Sequence, residues 1–257
     1  MSNSSQKTLS YIYKLIWVLV LVSIIKHLAT PSEYDIVILN GEVIDGSGSA
    51  SVYKDIGIIG DKIDKIGNLK SADAKRYIDA EGLVVSPGFI DVHAHLDPIL
   101  RLSNSESHVR QGVTTSLGGP DGTSPWPIGE FLDTLNQLGV GMNVAYLVGH
   151  NTVRRNIMGL ENRAPSKEEL NKMKSQISAG MDDGAYGISI GLKYLPGSFS
   201  DVDEVIELSK KASEKGGVYT SHLRDEGLGV IASVNEAIKI SREADIPVVL
   251  THHKVIG

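Results

Sequence analysis

The sequence predicts an α/β protein: an incomplete (β/α)8 barrel of the TIM type, with about six of the eight units such a barrel needs, behind a small N-terminal β-sandwich portion. Three observations predict it. From Gly88 onward, apolar strand-like runs alternate with amphipathic helical stretches, the pattern of parallel strands joined by helices. Before that point, residues 34–86 read as short strands separated by Gly-rich turns. Histidines and an aspartate fall at or just beyond the ends of the strand runs, where barrel enzymes gather their chemistry. A doubly wound sheet satisfies the first observation but not the third, and no Gly-x-Gly-x-x-Gly opens the first helix.

Residues 1–30 differ from the rest. Lys7 and Lys14 precede the apolar run 15–25, and Lys26 follows it. A basic start and a short apolar stretch match a secretory signal, with Ala29 offered as the cleavage residue and His27 fitting poorly before it. An uncleaved anchor starting near Leu9, with Lys14 snorkelling, stays open beside it. The expectation is a protein exported to the periplasm or the exterior, or anchored with membrane contact through residues 9–25.

In the β-rich part, residues 31–86, Asp35–Leu39 runs into the turn pair Asn40-Gly41 and then Glu42–Asp45. Asp55–Ile59 leads through Gly60-Asp61 to the alternating run Lys62–Gly67, and Tyr77–Gly82 closes the expected meander. The remainder, residues 87–257, carries strand runs at Phe89–His93, Val113–Leu117, Val144–Val148, Ala185–Ile190, Val218–His222 and Ile246–His252. Helical stretches lie between them, near Ser105–Gln111 and at Ile128–Leu138, Lys167–Met181, Asp201–Lys215 and Val230–Glu243. Ser166 before Glu168 and Glu169 reads as a helix cap, and Asp201 before Glu204 reads the same way.

Composition narrows the chemistry. The chain of 257 residues has 25 basic and 31 acidic side chains, a net charge of −6 and no cysteine. Without a basic run, nucleic acid is not an expected partner. Without cysteine there are no disulfides, thiolate ligands or thiol nucleophile.

Strand parity places His93 and His95 on one face, a pairing suited to a divalent metal. His222 and His252 close later strand runs and add two more imidazoles. Parity also separates His252, which shares its face with Lys254, from His253 on the other. Four strand-end histidines and Asp121 thus suggest a metal-dependent hydrolase. Each residue has a plainer reading. Asp121 sits in Pro120-Asp121-Gly122, a common turn, and His150 suits substrate binding, a bond to a carboxylate behind the ligands, or a loop hydrogen bond. Arg224, Asp225 and Glu226 read as a solvated loop or an ion-paired cluster, and Tyr194 as loop packing.

Several longer motifs carry a resemblance. They are Pro87–His95, Gln111–Thr115, Gly149–Arg154 with Ile157-Met158-Gly159, Gly191–Phe199, Ser221–Glu226 and His252-His253-Lys254. On these the chain resembles, over residues 34–257, the metal-dependent amidohydrolase superfamily and within it the D-aminoacylase (N-acyl-D-amino-acid deacylase) family. The resemblance implies one or two zinc ions: His222 and His252 on a tightly held one, His93 and His95 on a second, weaker position. It implies Lys254 as a substrate contact and a small N-acyl amino acid as substrate, cut to a carboxylate and a D-amino acid. Where the family commonly has a metal-binding cysteine after the second strand, this chain has Gly118-Gly119-Pro120-Asp121-Gly122, so Asp121 takes that place as a harder ligand. The implied proton carrier is an aspartate after an eighth strand, beyond residue 257, so the chain reads as an inactive fragment of a longer enzyme. Two other functions remain beside this one. Cyclic-amide hydrolysis of the dihydroorotase or hydantoinase kind usually relies on a carboxylated lysine, for which only Lys193 is near. A non-catalytic truncated remnant is the other.

Overall fold

The computed structural model describes Lys14, residues 16–21 and residues 32–256. Most of the expected signal or anchor segment lies outside the described residues. Lys14 and residues 16–21 are helical, and among the described residues no helix is long and apolar enough to cross a membrane. The chain divides into two compact units, Met1–Pro87 and Gly88–Gly257.

The first unit is one mixed sheet of β1 (Tyr34–Val43), β2 (Val52–Ile59), β3 (Lys62–Gly67), β4 (Ala74–Asp79) and β5 (Val84–Val85). Its order is β3-β2-β1-β4, with β5 also paired to β1. The Gly60-Asp61 hairpin between β2 and β3 forms as expected. Two other expectations fail. Asn40-Gly41 does not end a strand: β1 runs through it as a bulge, with Asn40 at φ +61°. That conformation is held because the Asn40 backbone N–H donates to the buried Asp55 carboxylate (2.9 Å) and its side-chain amide to Asp79 (2.9 Å). The meander is not closed either, because β4 lies parallel to β1 on its other edge. Buried Leu69, packed with Tyr34, Val37 and Ala74, carries the chain across before β4 begins. Among the described residues of this unit there is this one sheet and no second.

The second unit holds β6 (Phe89–Asp91), β7 (Val113–Gly118), β8 (Asn143–Gly149), β9 (Gly187–Gly191), β10 (Val218–His222) and β11 (Val248–Leu250). All five neighbouring pairs are parallel, and the spatial order follows the sequence order without reversal. A doubly wound sheet reverses its order at a switch point. A sheet that keeps adding strands on the same side curls as a barrel does, and this one is a parallel half-barrel arc.

The helices are α1 (Glu106–Val109), α2 (Ile128–Leu138), α3 (His150–Met158), α4 (Lys167–Asp182), α5 (Val202–Ser213) and α6 (Val230–Ala244). The apolar faces of α2 to α6 meet the sheet in a core that includes Ile177, Ile188, Leu208, Tyr219 and Ile240, all fully buried. Only α3 is absent from the sequence reading. Its cap is Gly149, which offers no side-chain bond, so nothing polar marks its start. At α4 the expected cap is present as a reciprocal box, Ser166 accepting from the Glu169 N–H and Glu169 accepting from the Ser166 N–H (2.7 Å). At α5, Asp201 accepts from the Glu204 N–H at 2.8 Å.

Two strands stop short of the sequence expectation. β6 ends at Asp91 and β11 at Leu250, so His93, His95 and His252 sit on the turns that follow. Removing the α4 cap by Ser166→Ala should cost about 1 kcal/mol of stability. Urea denaturation checks this, and an unchanged midpoint would show the box to be unneeded.

Candidate metal centre

The site is built on turns at the carboxyl ends of the parallel strands. Asp121 sits at its middle, on a turn after β7 in which Gly119 (φ +72°), Asp121 (φ +55°) and Gly122 (φ +80°) all adopt left-handed backbone. Aspartate tolerates that region better than most side chains. The buried Ser189 of β9 spans the turn, its hydroxyl donating to the Gly119 carbonyl (2.6 Å) and accepting from the Gly122 N–H (3.1 Å). Gly191 at the end of β9 allows the close approach, since a Cβ there would lie 2.1 Å from the Asp121 carbonyl oxygen.

Both oxygens of Asp121 face imidazoles. Oδ2 is 3.7 Å from His93 Nε2 and 3.4 Å from His95 Nε2. Oδ1 is 3.5 Å from His222 Nδ1 and 3.4 Å from His252 Nε2. The two nitrogens of the latter pair are 2.9 Å apart. Two ligand groups result, His93–His95–Asp121 and Asp121–His222–His252, with Asp121 common to both.

These residues fit a divalent metal. Ligands about 2.0–2.1 Å from a tetrahedral zinc lie about 3.3–3.4 Å from one another. The separations of 2.9, 3.4 and 3.5 Å in the His222 group bracket that value. Charge fits as well. Burial pushes the His93 and His222 imidazoles below the ordinary histidine range, and Asp121 only partly opposes it. Neutral imidazoles keep the lone pairs a metal needs.

The structure gathers the residues that strand parity picked, but not by way of strand faces. His93, His95 and His252 converge from turns, and His252 does so at φ +35°. His253 is exposed rather than packed against helices, and it belongs to neither ligand group.

Glu226 was read as part of a loop cluster, yet it is buried directly behind the centre. Its Oε1 lies 3.1 Å from His252 Nδ1 and 2.8 Å from Lys254 Nζ, and its Oε2 lies 3.6 Å from His222 Nε2. Burial works to raise its pKa, but Lys254 and the two imidazoles outweigh it and hold the carboxyl below its ordinary range. Tyr194, expected to be loop packing, sets its ring on His222 with centroids 4.6 Å apart. A cavity of about 520 Å³ adjoins the cluster, lined by His95, Asp97, Asp121, Phe131, Tyr146 and Tyr194.

His150 is the clear departure. It opens α3, has no exposed surface, and so is closed to a substrate. Its Nε2 meets Glu204 Oε1 at 2.8 Å, while Arg154, also fully buried, pairs with Glu204 Oε2 and donates to the Arg163 carbonyl at 2.6 Å. Burial opposes ionisation of Glu204, yet His150 and Arg154 together hold its pKa below the ordinary range. A lowered carboxyl pKa gives stability that is complete at neutral pH and is lost only as pH falls through the folded-state value. The neighbouring Asn151 reaches the site instead, donating to the Gly191 carbonyl at 3.2 Å. These contacts join distant stretches, and no local sequence signal announces them.

Comparison with known proteins gives concordant results. A model of the amidohydrolase family matches residues 76–255. A D-aminoacylase of Alcaligenes xylosoxydans xylosoxydans is 37% identical over 248 residues, which cover 87% of this chain and 51% of that protein. A solved D-aminoacylase, described for its binuclear metal centre, superposes with a TM-score of 0.84 at 34% identity, covering 87% of this chain and 52% of that one. An N-acyl-D-glutamate deacylase from Bordetella bronchiseptica, solved with zinc and a phosphonate inhibitor, does so with a TM-score of 0.84 at 32% identity and the same coverage, 87% and 52%. The chain spans about half the length of the curated relatives it matches.

Arg154→Met would leave Glu204 buried without its strong partner and should cost about 3–5 kcal/mol. Urea denaturation at pH 7 measures it, and a loss below about 1 kcal/mol would show that the pair contributes nothing net.

Proposed function

The chain belongs to the amidohydrolase family, and from that premise we propose that the protein hydrolyses a linear amide, an N-acyl-D-amino acid, to a carboxylate and a free D-amino acid. The observation that carries this reading is Asp121 shared between two histidine pairs at the carboxyl ends of a parallel β/α arc. One or two zinc ions held there would supply Lewis-acid polarisation of the amide carbonyl and acidification of a water. His222 and His252 with Asp121 form one position, and His93 and His95 with Asp121 the other. Lys254, half exposed at the rim, has ammonium hydrogens left after its bond to Glu226 with which to meet a substrate carboxylate. The cavity beside His95 has the size of a small-molecule site and walls of Phe131, Tyr146 and Tyr194 that suit an acyl or side-chain group.

The shared ligand also favours the linear over the cyclic substrate. Asp121 would take the bridging place, whereas Lys193, the one lysine considered for carboxylation, is exposed. We further propose that the arc belongs to a (β/α)8 barrel and the first unit to a β-sandwich, and that residues 1–30 direct export or anchor the protein. The exposed apolar side chains of Trp17, Leu19 and Leu21 support the last point.

Incubation of the zinc-supplemented protein with N-acetyl-D-methionine, N-acetyl-D-glutamate and dihydrouracil tests the activity. Release of a D-amino acid is expected from a form that also carries the proton-transferring aspartate expected beyond residue 257, and is lost together with bound zinc in Asp121→Ala. Turnover of the ring substrate alone would overturn the proposal. Replacing Leu19 and Val20 by Asp should shift the protein out of the membrane or exported fraction, and an unchanged distribution would refute the targeting role.

A further inference from the structure

The two ligand groups share Asp121 but differ behind it. A histidine can ligate through one nitrogen only if its hydrogen sits on the other, and the partner of that other nitrogen decides the tautomer. At the His222–His252 group the nitrogens aimed at Asp121 are Nδ1 of His222 and Nε2 of His252. The opposite nitrogens, Nε2 of His222 and Nδ1 of His252, both face one carboxylate, at 3.6 Å from Glu226 Oε2 and 3.1 Å from Glu226 Oε1. At the other group His93 Nδ1 is buried with no hydrogen-bond partner, and the nearby Asp91 carboxylate accepts from the His93 backbone N–H at 3.0 Å.

We propose that Glu226 is a positioning residue that fixes the tautomers of His222 and His252 and thereby strengthens divalent-cation binding at their side of the centre, the side that the family resemblance makes the tighter. As an ionised carboxylate it only accepts, so it selects the His252 form protonated at Nδ1 by a hydrogen bond at 3.1 Å, and at 3.6 Å it favours the His222 form protonated at Nε2 by charge alone. Both forms turn a lone pair toward Asp121. One side chain therefore sets two ligands that differ in which nitrogen they present.

The surroundings hold Glu226 to this task. Its backbone carbonyl accepts from the Ile256 N–H at 2.8 Å, and Lys254 supplies a countercharge at 2.8 Å. Lys254 Nζ also lies 3.1 Å from His252 Nδ1, and a hydrogen bond there would require the opposite tautomer, with the hydrogen on Nε2. Glu226 competes with that arrangement by drawing both the ammonium and the Nδ1–H to its own Oε1. The neighbouring charges have separate uses. Arg224 pairs with Glu236 at 2.8 Å, and Asp225 accepts from the backbone of Gly227 at 2.7 Å and Gly229 at 3.1 Å.

This inference rests on the metal-centre reading, and its test reads zinc binding and imidazole protonation rather than hydrolysis. The full chain is titrated with zinc against a competing chelator, as wild type and as Glu226→Gln, and the zinc-loaded forms are compared by histidine 15N spectra. The tighter class should weaken by about 10–100-fold in Glu226→Gln, with the weaker class unchanged. The wild-type spectrum should show one ring protonated at Nδ1 and one at Nε2, and the variant should lose that pattern. Equal loss in both classes, or an unaltered tighter class, would overturn the inference while leaving the metal centre intact. No zinc uptake by the wild type would overturn both. Should Glu226→Gln not fold, Glu226→Asp carries the same test, with a smaller loss confined to the tighter class.

Discussion

The carboxylate of Asp121 is the contact on which the remaining architecture depends. An aspartate side chain is short, so both oxygens can serve separate imidazole pairs only if the backbone itself is brought to the centre of the group. That requirement explains the left-handed turn, the buried Ser189 hydroxyl that clasps it on both sides, and the glycine at the end of β9 against which it packs. It also explains why most of the ligands sit on turns. His222 closes strand β10, but His93, His95 and His252 lie past their strands, so the imidazoles converge on one carboxylate from three directions.

Electrostatics divides the buried polar groups of the second unit into two kinds. Around Asp121 the His93 and His222 imidazoles are disfavoured as cations by burial and remain available as lone-pair donors. Elsewhere in the unit Glu204 pairs with both His150 and Arg154, and Arg154 also donates to the Arg163 carbonyl while its Nε is buried without a partner. A buried ion pair of that type contributes little net stability over an apolar substitute, yet losing one partner is costly. The network ties the start of α3 to α5, and the adjoining Asn151 ties α3 to the loops at Gly191 and Tyr194. The site is therefore held by groups that take no part in its chemistry.

Much of the architecture was readable from periodicity. Helix α2 was expected over the residues it occupies, β10 likewise, and the caps Ser166 and Asp201 were correctly placed. Helix α3 escaped because it begins on a glycine and because its buried face includes His150, Asn151 and Arg154, which carry no apolar rhythm. Asn40-Gly41 misled for a similar reason: a turn pair is a local signal, and Asp55 and Asp79, remote in sequence, convert it to a bulge.

By itself, the sequence determined the alternation of strand and helix, the absence of thiol chemistry, and the identity of the histidines and the aspartate that gather at the strand ends. Those features depend on residue type and on neighbours a few positions away. Only the tertiary structure decided that Asp121 lies between two pairs, that Glu226 stands behind one of them, and that His150 belongs to a buried ion network instead of the cavity. Burial and pairing arise when stretches far apart in the chain meet, and side-chain periodicity contains no record of which stretches those are.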